Sequence, residues 1–202
     1  HSIVDPERTH TPEQVAKALF AFALRHVKKG NHLYRIFYYD CIPFDKKVHN
    51  PITKRVMDFK KTPQYEFRML LFEELKKKRK VALRLGFLKD SKNWILKPGL
   101  TKELIEGKIT VGDLNESDIC YELRQKCIDM KIGVDIVSLS LKKFVTQIVL
   151  MSGDGDFLPA SKLARTEGVD FILDPMWNHV DDDLLEHIDG LYSTCPKPKN
   201  LK

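Results

Sequence analysis

Cysteine is scarce in this chain: Cys41, Cys120, Cys127 and Cys195 are its only four in 202 residues. That is too few for a disulfide framework at this length. No two form a C-x-x-C pair, which excludes a zinc ribbon and a thioredoxin-like motif. Free thiols in a reducing cytoplasm are expected. Long apolar runs are missing too. None approaches the roughly 20 residues needed to cross a bilayer, so no membrane span is expected. The first residues lack a basic start and an apolar stretch, so no signal peptide is read. No Met opens the chain, and a segment upstream of His1 is expected to have been removed. There is no internal repeat, no G-x-x-x-x-G-K-[ST] loop and no G-x-G-x-x-G, so neither nucleotide-binding fingerprint is present. G-x-S-x-G is absent, and the seven His and four Cys show no zinc-like clustering.

What is present describes an ordinary globular protein, 43% hydrophobic and 31% charged. Thirty-four Lys and Arg against 28 Asp and Glu give a net charge of +6, and the pI is near 9.0. Modest basicity of this kind suits an anionic partner such as nucleic acid. Thr11-Pro12-Glu13-Gln14 opens a helix, with Thr11 as cap and Gln14 reaching back to it. Leu33–Tyr39 and Val81–Leu88 read as strands, with a helix from Gln64 between them that ends in Lys76-Lys77-Lys78-Arg79-Lys80. The polar stretches 41–63 and 89–118 read as loops or insertions. A helix around Val134–Phe144 precedes a strand at Gln147–Met151. Phe157–Glu167 is a helix, Val169–Leu173 a strand and Asp183–Leu191 a closing helix. The expected class is α/β, with a mainly parallel sheet.

The most informative stretch is Ser152-Gly153-Asp154-Gly155-Asp156-Phe157, directly after the apolar run Ile148–Met151. A glycine-bearing turn with two acids after a strand brings negative charge to the carboxyl edge of a parallel sheet, where such folds keep their ligands. Asp129 and Asp135 stand upstream, and Asp40 ends the first strand read. Magnesium and manganese take hard oxygen ligands of this kind. On one continuous helix, however, a six-residue step turns about 240°. Asp129 and Asp135 can therefore face one ion only if Asp129 precedes the helix, and Gly133 is the expected place for a break. Each acid also has a plain structural reading: Asp156 as a helix cap, Asp154 as a solvated turn acid, Asp129 and Asp135 as surface or capping residues, and Asp40 as a strand end. An EF-hand is excluded, because Leu158 and Arg165 stand where an oxygen ligand and the terminal Glu should be.

Lys126-Cys127-Ile128-Asp129, then Asp135, then Ile148 through Phe157 followed by Pro159, resembles the NYN domain. This LabA-like family is a branch of the PIN-like nuclease superfamily. Its pattern is roughly K-x-V-D, an acid six residues on, then a strand ending S-G-D-x-D-F-x-P. Ala164-Arg165 followed by Gly168 matches the usual helix end. The resemblance implies a three-layer α/β/α, PIN-like (Rossmann-like) fold with a mainly parallel central sheet. It further implies one domain over 1–195, with insertions near 41–63 and 89–118 and a flexible tail at 196–202. The implied activity is a Mg²⁺- or Mn²⁺-dependent nuclease, with single-stranded or structured RNA as the expected substrate. Carried over by position, Asp129, Asp135 and Asp154 would form the acidic metal centre, Asp156 would support it, and Asp40 could approach the same edge. Ser152 would orient a metal-bound water or cap the turn. Family members begin with a strand ending in D-x-x-N, whose Asp is a principal metal ligand. That strand is expected upstream of His1.

Lys126, Lys142, Lys143, Lys162 and Arg165 flank the acids in sequence and are the candidate phosphate contacts. The Lys76–Lys80 run reads either as a further phosphate grip or as a solvated helix end. Trp94 and Trp177 read as base-stacking platforms or as packing residues. A non-catalytic RNA-binding module is the second functional expectation, and a phosphatase acting on small phosphate esters a third. The sequence leaves the oligomeric state open.

Overall fold

The computed structural model describes residues 9–197; the tail expected at 196–202 lies outside them from residue 198 on. In chain order the elements are α1 (Pro12–Leu24), β1 (Ile36–Ile42), β2 (Lys47–His49), β3 (Val56–Asp58), α2 (Pro63–Lys76), β4 (Val81–Leu96), α3 (Leu100–Ile105), β5 (Ile119–Lys126), α4 (Ile128–Leu141), β6 (Gln147–Leu150), α5 (Leu158–Thr166), β7 (Asp170–Leu173), α6 (Asp182–Leu185) and β8 (Gly190–Leu191). No helix among the described residues is long and apolar enough to cross a membrane. The residues fall into two compact units. The first takes the chain up to Asp40, Leu70–Leu85 and everything from Cys127, and the second takes Cys41–Met69 and Gly86–Lys126. The segments 41–63 and 89–118 lie in the second unit.

The first unit carries the parallel sheet, in the order β6-β7-β8. Parallel neighbours need a crossover connection, and α5 supplies it between β6 and β7. Leu150 from β6, Phe171 and Leu173 from β7, Ala160 and Ala164 from α5 and Ile136 from α4 make one core with Phe157 and Leu184. Phe171, Leu173 and Leu184 are fully buried, and each contributes about 2 kcal/mol of transfer free energy. α1 opens as its sequence predicts: Thr11 Oγ accepts from Gln14 N–H at 3.3 Å, and Gln14 Oε1 accepts from Thr11 N–H at 2.8 Å.

The chain is α/β as expected, and the structure moves several boundaries. β1 starts later than predicted and continues to Ile42, so Asp40 lies within the strand rather than at its end. β4 runs past Leu88 to Leu96, through an irregularity between Asp90 and Trp94. There Asp90 Oδ1 accepts from Lys92 N–H at 2.9 Å and Lys92 takes a positive φ of 57°, which is why Ser91-Lys92-Asn93 reads locally as a loop. The end of β4 pairs antiparallel with β5, placing Trp94 opposite Tyr121 and Phe87 opposite Lys126. β5 was not foreseen: Glu122, Arg124, Gln125 and Lys126 give it the composition of a polar excursion. The closing helix is only α6. Gly190–Leu191 instead adds β8 to the sheet, because Asp189 Oδ2 accepts from Phe171 N–H at 2.9 Å and Asp189 N–H reaches Phe171 O at 2.8 Å.

Candidate functional site

The turn that follows β6 is tightly specified. Ser152 Oγ accepts from Asp154 N–H at 3.3 Å, and Asp154 Oδ1 accepts from Asp156 N–H at 3.0 Å. Asp154 therefore caps the short 3₁₀ turn Gly155–Phe157 that leads into α5. The capping role foreseen for Asp156 belongs to Asp154, while Asp156 stays exposed and α5 begins without a side-chain cap. Both glycines lie in close approach, Gly153 to backbone and Gly155 to a side chain. A Cβ on Gly153 would lie 2.4 Å from His179 O, and one on Gly155 would lie 2.9 Å from the Asp181 carboxylate. Asp181 N–H also reaches Gly153 O at 3.4 Å, and the Asp181 side chain caps α6 through Asp183 N–H at 3.0 Å. The turn thus holds Asp154 and Asp156 out to solvent at the carboxyl end of β6. Asp181, across from Gly155, is an acid that sequence reasoning missed; its only signal was the run Asp181-Asp182-Asp183.

Asp129 and Asp135 both lie on α4, which is continuous from Ile128 to Leu141. The break expected at Gly133 does not occur. Asp129 sits in the first helical turn, exposed, and the six-residue step of about 240° puts Asp135 on another face. Asp135 is partly buried and already satisfied: its Oδ2 accepts from Arg84 Nε–H at 2.9 Å and from Tyr39 O–H at 2.9 Å. Burial, reinforced by the hydrogen bond to Asp135 and its charge, raises the Tyr39 pKa, which keeps the phenol protonated and donating. The Arg84 guanidinium also stacks over Phe37 at 4.7 Å. Neither Arg84 nor Tyr39 was foreseen. A lone arginine inside the apolar strand Val81-Ala82-Leu83-Arg84-Leu85 was the available signal. Asp40 accepts from Tyr38 O–H at 3.3 Å.

A divalent ion needs hard oxygen donors converging on one point. The donor chemistry is present in Asp129, Asp154 and Asp156, but the convergence is not. Among the described residues no three His, Cys, Asp or Glu side chains stand together as a metal-holding group. The residues described do not, by themselves, fit the expected three-carboxylate centre.

The candidate phosphate contacts stand on different elements. Lys126 ends β5 in the second unit. Lys142 and Lys143 follow the C-terminus of α4, about 20 Å along its axis from Asp129, with Lys142 Nζ 5.9 Å from the Phe144 ring centre. Lys162 is exposed on α5. Arg165 is a structural clamp: its Nε–H donates to Asp189 Oδ1 at 2.9 Å and its Nη1 to Glu186 O at 3.4 Å. The Lys76–Lys80 run is largely engaged, with Lys76 and Lys77 paired to Glu73 and Glu74 and Lys80 donating to Leu33 O. Trp94 packs against Tyr121 at 5.4 Å, whereas Trp177 stays exposed, with its Nε1–H on Cys195 O at 2.8 Å.

A second polar network lies beyond the end of β7. Asp174, fully buried, has Oδ2 2.8 Å from Nε2 of buried His26, and it accepts from Thr194 N–H, Thr194 O–H and Met176 N–H. Burial alone pushes its pKa up. The hydrogen bonds, led by His26, outweigh burial and bring it down to about 2.

Comparison with curated proteins finds no match, and comparison with solved structures finds none either. The family model of the NYN domain matches residues 70–185. That span runs from the middle of α2 to the end of α6 and takes in the Ser152–Phe157 turn, Asp129, Asp135 and Arg84. Covering more than half of the chain, it shows that this protein belongs to the NYN domain family of the PIN-like nuclease superfamily.

Proposed function

We propose that this chain is a nuclease acting on RNA, with Mg²⁺ or Mn²⁺ as its cofactor. The observation that carries this reading is the NYN match over residues 70–185, together with the rigid turn that presents Asp154 and Asp156 to solvent at the end of β6. Asp154 is the acid proposed to act at the phosphodiester, with Asp156 in the same turn and exposed Asp129 as the supporting acids, while Asp135 is held by Arg84 and Tyr39. The cysteines are free, and a reducing compartment, the cytoplasm, is proposed. A direct test is cleavage of labelled single-stranded RNA with Mn²⁺ by the wild-type protein and by Asp154→Asn. Asparagine caps a helical turn about as well as aspartate, so the variant is expected to fold. Its cleavage rate is expected to fall below about one hundredth of wild type, roughly 2.7 kcal/mol of transition-state stabilisation. Equal cleavage by the two proteins would remove Asp154 from the reaction.

A second reading, a non-catalytic RNA-binding module, has its own observation in its favour. Asp135 is held by Arg84 and Tyr39 rather than left open to an ion. This reading expects RNA binding that survives EDTA, with no cleavage under Mg²⁺ or Mn²⁺.

A further inference from the structure

The second unit contains a basic hairpin that nothing in the NYN match explains. Residues 46–61 carry six cations, Lys46, Lys47, Lys54, Arg55, Lys60 and Lys61, against one acid, Asp58. They lie outside the matched span. β2 and β3 pair antiparallel, Lys47 opposite Asp58 and His49 opposite Val56. The connecting turn is fixed from within by buried Asn50. Its Oδ1 accepts from Ile52 N–H at 2.9 Å and Thr53 N–H at 3.0 Å, and its backbone N–H and C=O bond Arg55 O and Lys54 N–H, both at 2.9 Å. The turn therefore presents Lys54 and Arg55 at a defined tip, both exposed. At the base, Phe44 packs edge-on against Phe59 at 5.2 Å and against Tyr121 at 5.8 Å, rooting the hairpin on β5. Lys46 and Lys47 have acids at 3.8 Å, Asp90 and Asp58. Among the described residues Lys54, Arg55, Lys60 and Lys61 have no ion pair.

We infer that the β2–β3 hairpin is a nucleic-acid-binding arm that grips the phosphate backbone through Lys54 and Arg55 at its tip and Lys60 and Lys61 at its base. Solvated lysines that serve only solubility are usually interspersed with acids; here six cations stand against a single acid, Asp58, which lies 3.8 Å from Lys47. The three residues of β3, about 10 Å of extended chain, stand between Arg55 at the tip and Lys60 and Lys61 at the base, so the cations reach more than one phosphate of an extended strand. Exposed Val56 and Met57 lie between them, exposed Ile52 lies in the turn beside Lys54, and all three offer apolar surface to sugars and bases. The arm's role rests on the nucleic-acid function proposed above and names where that substrate is held.

The test is fluorescence anisotropy of the whole chain with labelled oligouridine and oligothymidine, in EDTA, over a series of salt concentrations. Each single-strand phosphate contact contributes about −0.7 to the slope of log affinity against log salt. Lys54→Gln/Arg55→Gln is expected to weaken binding and to make the slope shallower by about 1.4 on both strands. The comparison variant is Lys102→Gln/Lys108→Gln, which removes the same charge from cations paired to Glu106 and is expected to leave the slope unchanged. Melting curves equal to wild type certify that both variants fold. Wild-type binding with an unchanged slope in the hairpin variant overturns the arm and leaves the nucleic-acid function standing, as does an equal change in the comparison variant. No wild-type binding on either strand overturns both. Competition by polyglutamate that matches RNA charge for charge, and weakens only in the hairpin variant, assigns the arm to an acidic protein surface and overturns it as a nucleic-acid site.

Discussion

At Gly153 the chain passes so close to the His179 carbonyl that a methyl group has no room, since both neighbours are backbone. Gly153→Ala must therefore move the turn or the segment behind it. A cost of about 1–3 kcal/mol is expected, measured as a lowered urea midpoint with an unchanged slope. The buried Asp174 carboxylate gives a pH-dependent counterpart. Its folded pKa of about 2 lies below an unfolded value near 3.9. Its contribution to stability is thus fully present above about pH 4 and is lost as pH falls through the window down to about 2. Wild type should melt higher than Asp174→Asn at pH 6, and the gap should close as pH approaches the bottom of that window. A gap independent of pH would show that the network's strength is not ionic. Residue identities announced the glycine-rich turn, but not the close approach that makes Gly153 obligatory, because His179 comes from a loop that sequence pattern leaves unplaced.

α4 is the element on which the sequence reading and the structure part. Gly133 suggested a break that would let Asp129 and Asp135 face one point, yet the helix runs through it. A Cβ at Gly133 meets nothing within 4 Å. If Gly133 is an ordinary helical position, Gly133→Ala stabilises the protein by about 0.5–1 kcal/mol through reduced unfolded-state freedom. A raised thermal midpoint checks this, whereas a hinge would make the same substitution destabilising. β8 shows the converse. Its two residues carry no strand signature of their own, and they pair because Asp189 is bound at once by Phe171 N–H and by Arg165.

Across the whole molecule the deepest burial is uneven. Val15, Leu71, Phe72, Phe171, Leu173 and Leu184, the largest fully buried apolar side chains, all belong to the first unit. The second unit relies on Phe44, Val48, Cys41 and the ring cluster around Tyr121. Opening free energy follows buried apolar contact. Amides of β2, β3 and β5 are therefore expected to exchange with solvent before those of β6 and β7, as read by hydrogen-exchange mass spectrometry. Matching protection in the two sets would mean that the units open as one.

The sequence by itself determined the alternation of helices and strands in the first unit, the capped start of α1 and the Ser152–Phe157 turn after an apolar strand. These are local matters: periodicity, capping and turn chemistry are set within a few residues. It also carried enough of the NYN pattern to identify the family. Only the tertiary structure decided what each acid does. Asp135 meets Tyr39 across 96 residues and Arg84 across 51, and Asp174 meets His26 across 148. A pattern of apolar positions says which face of an element is buried, but not which distant side chain will meet it there. Asp135 was legible as an acid on a helix. That it is held by an arginine and a tyrosine follows from how β1, β4 and α4 come together.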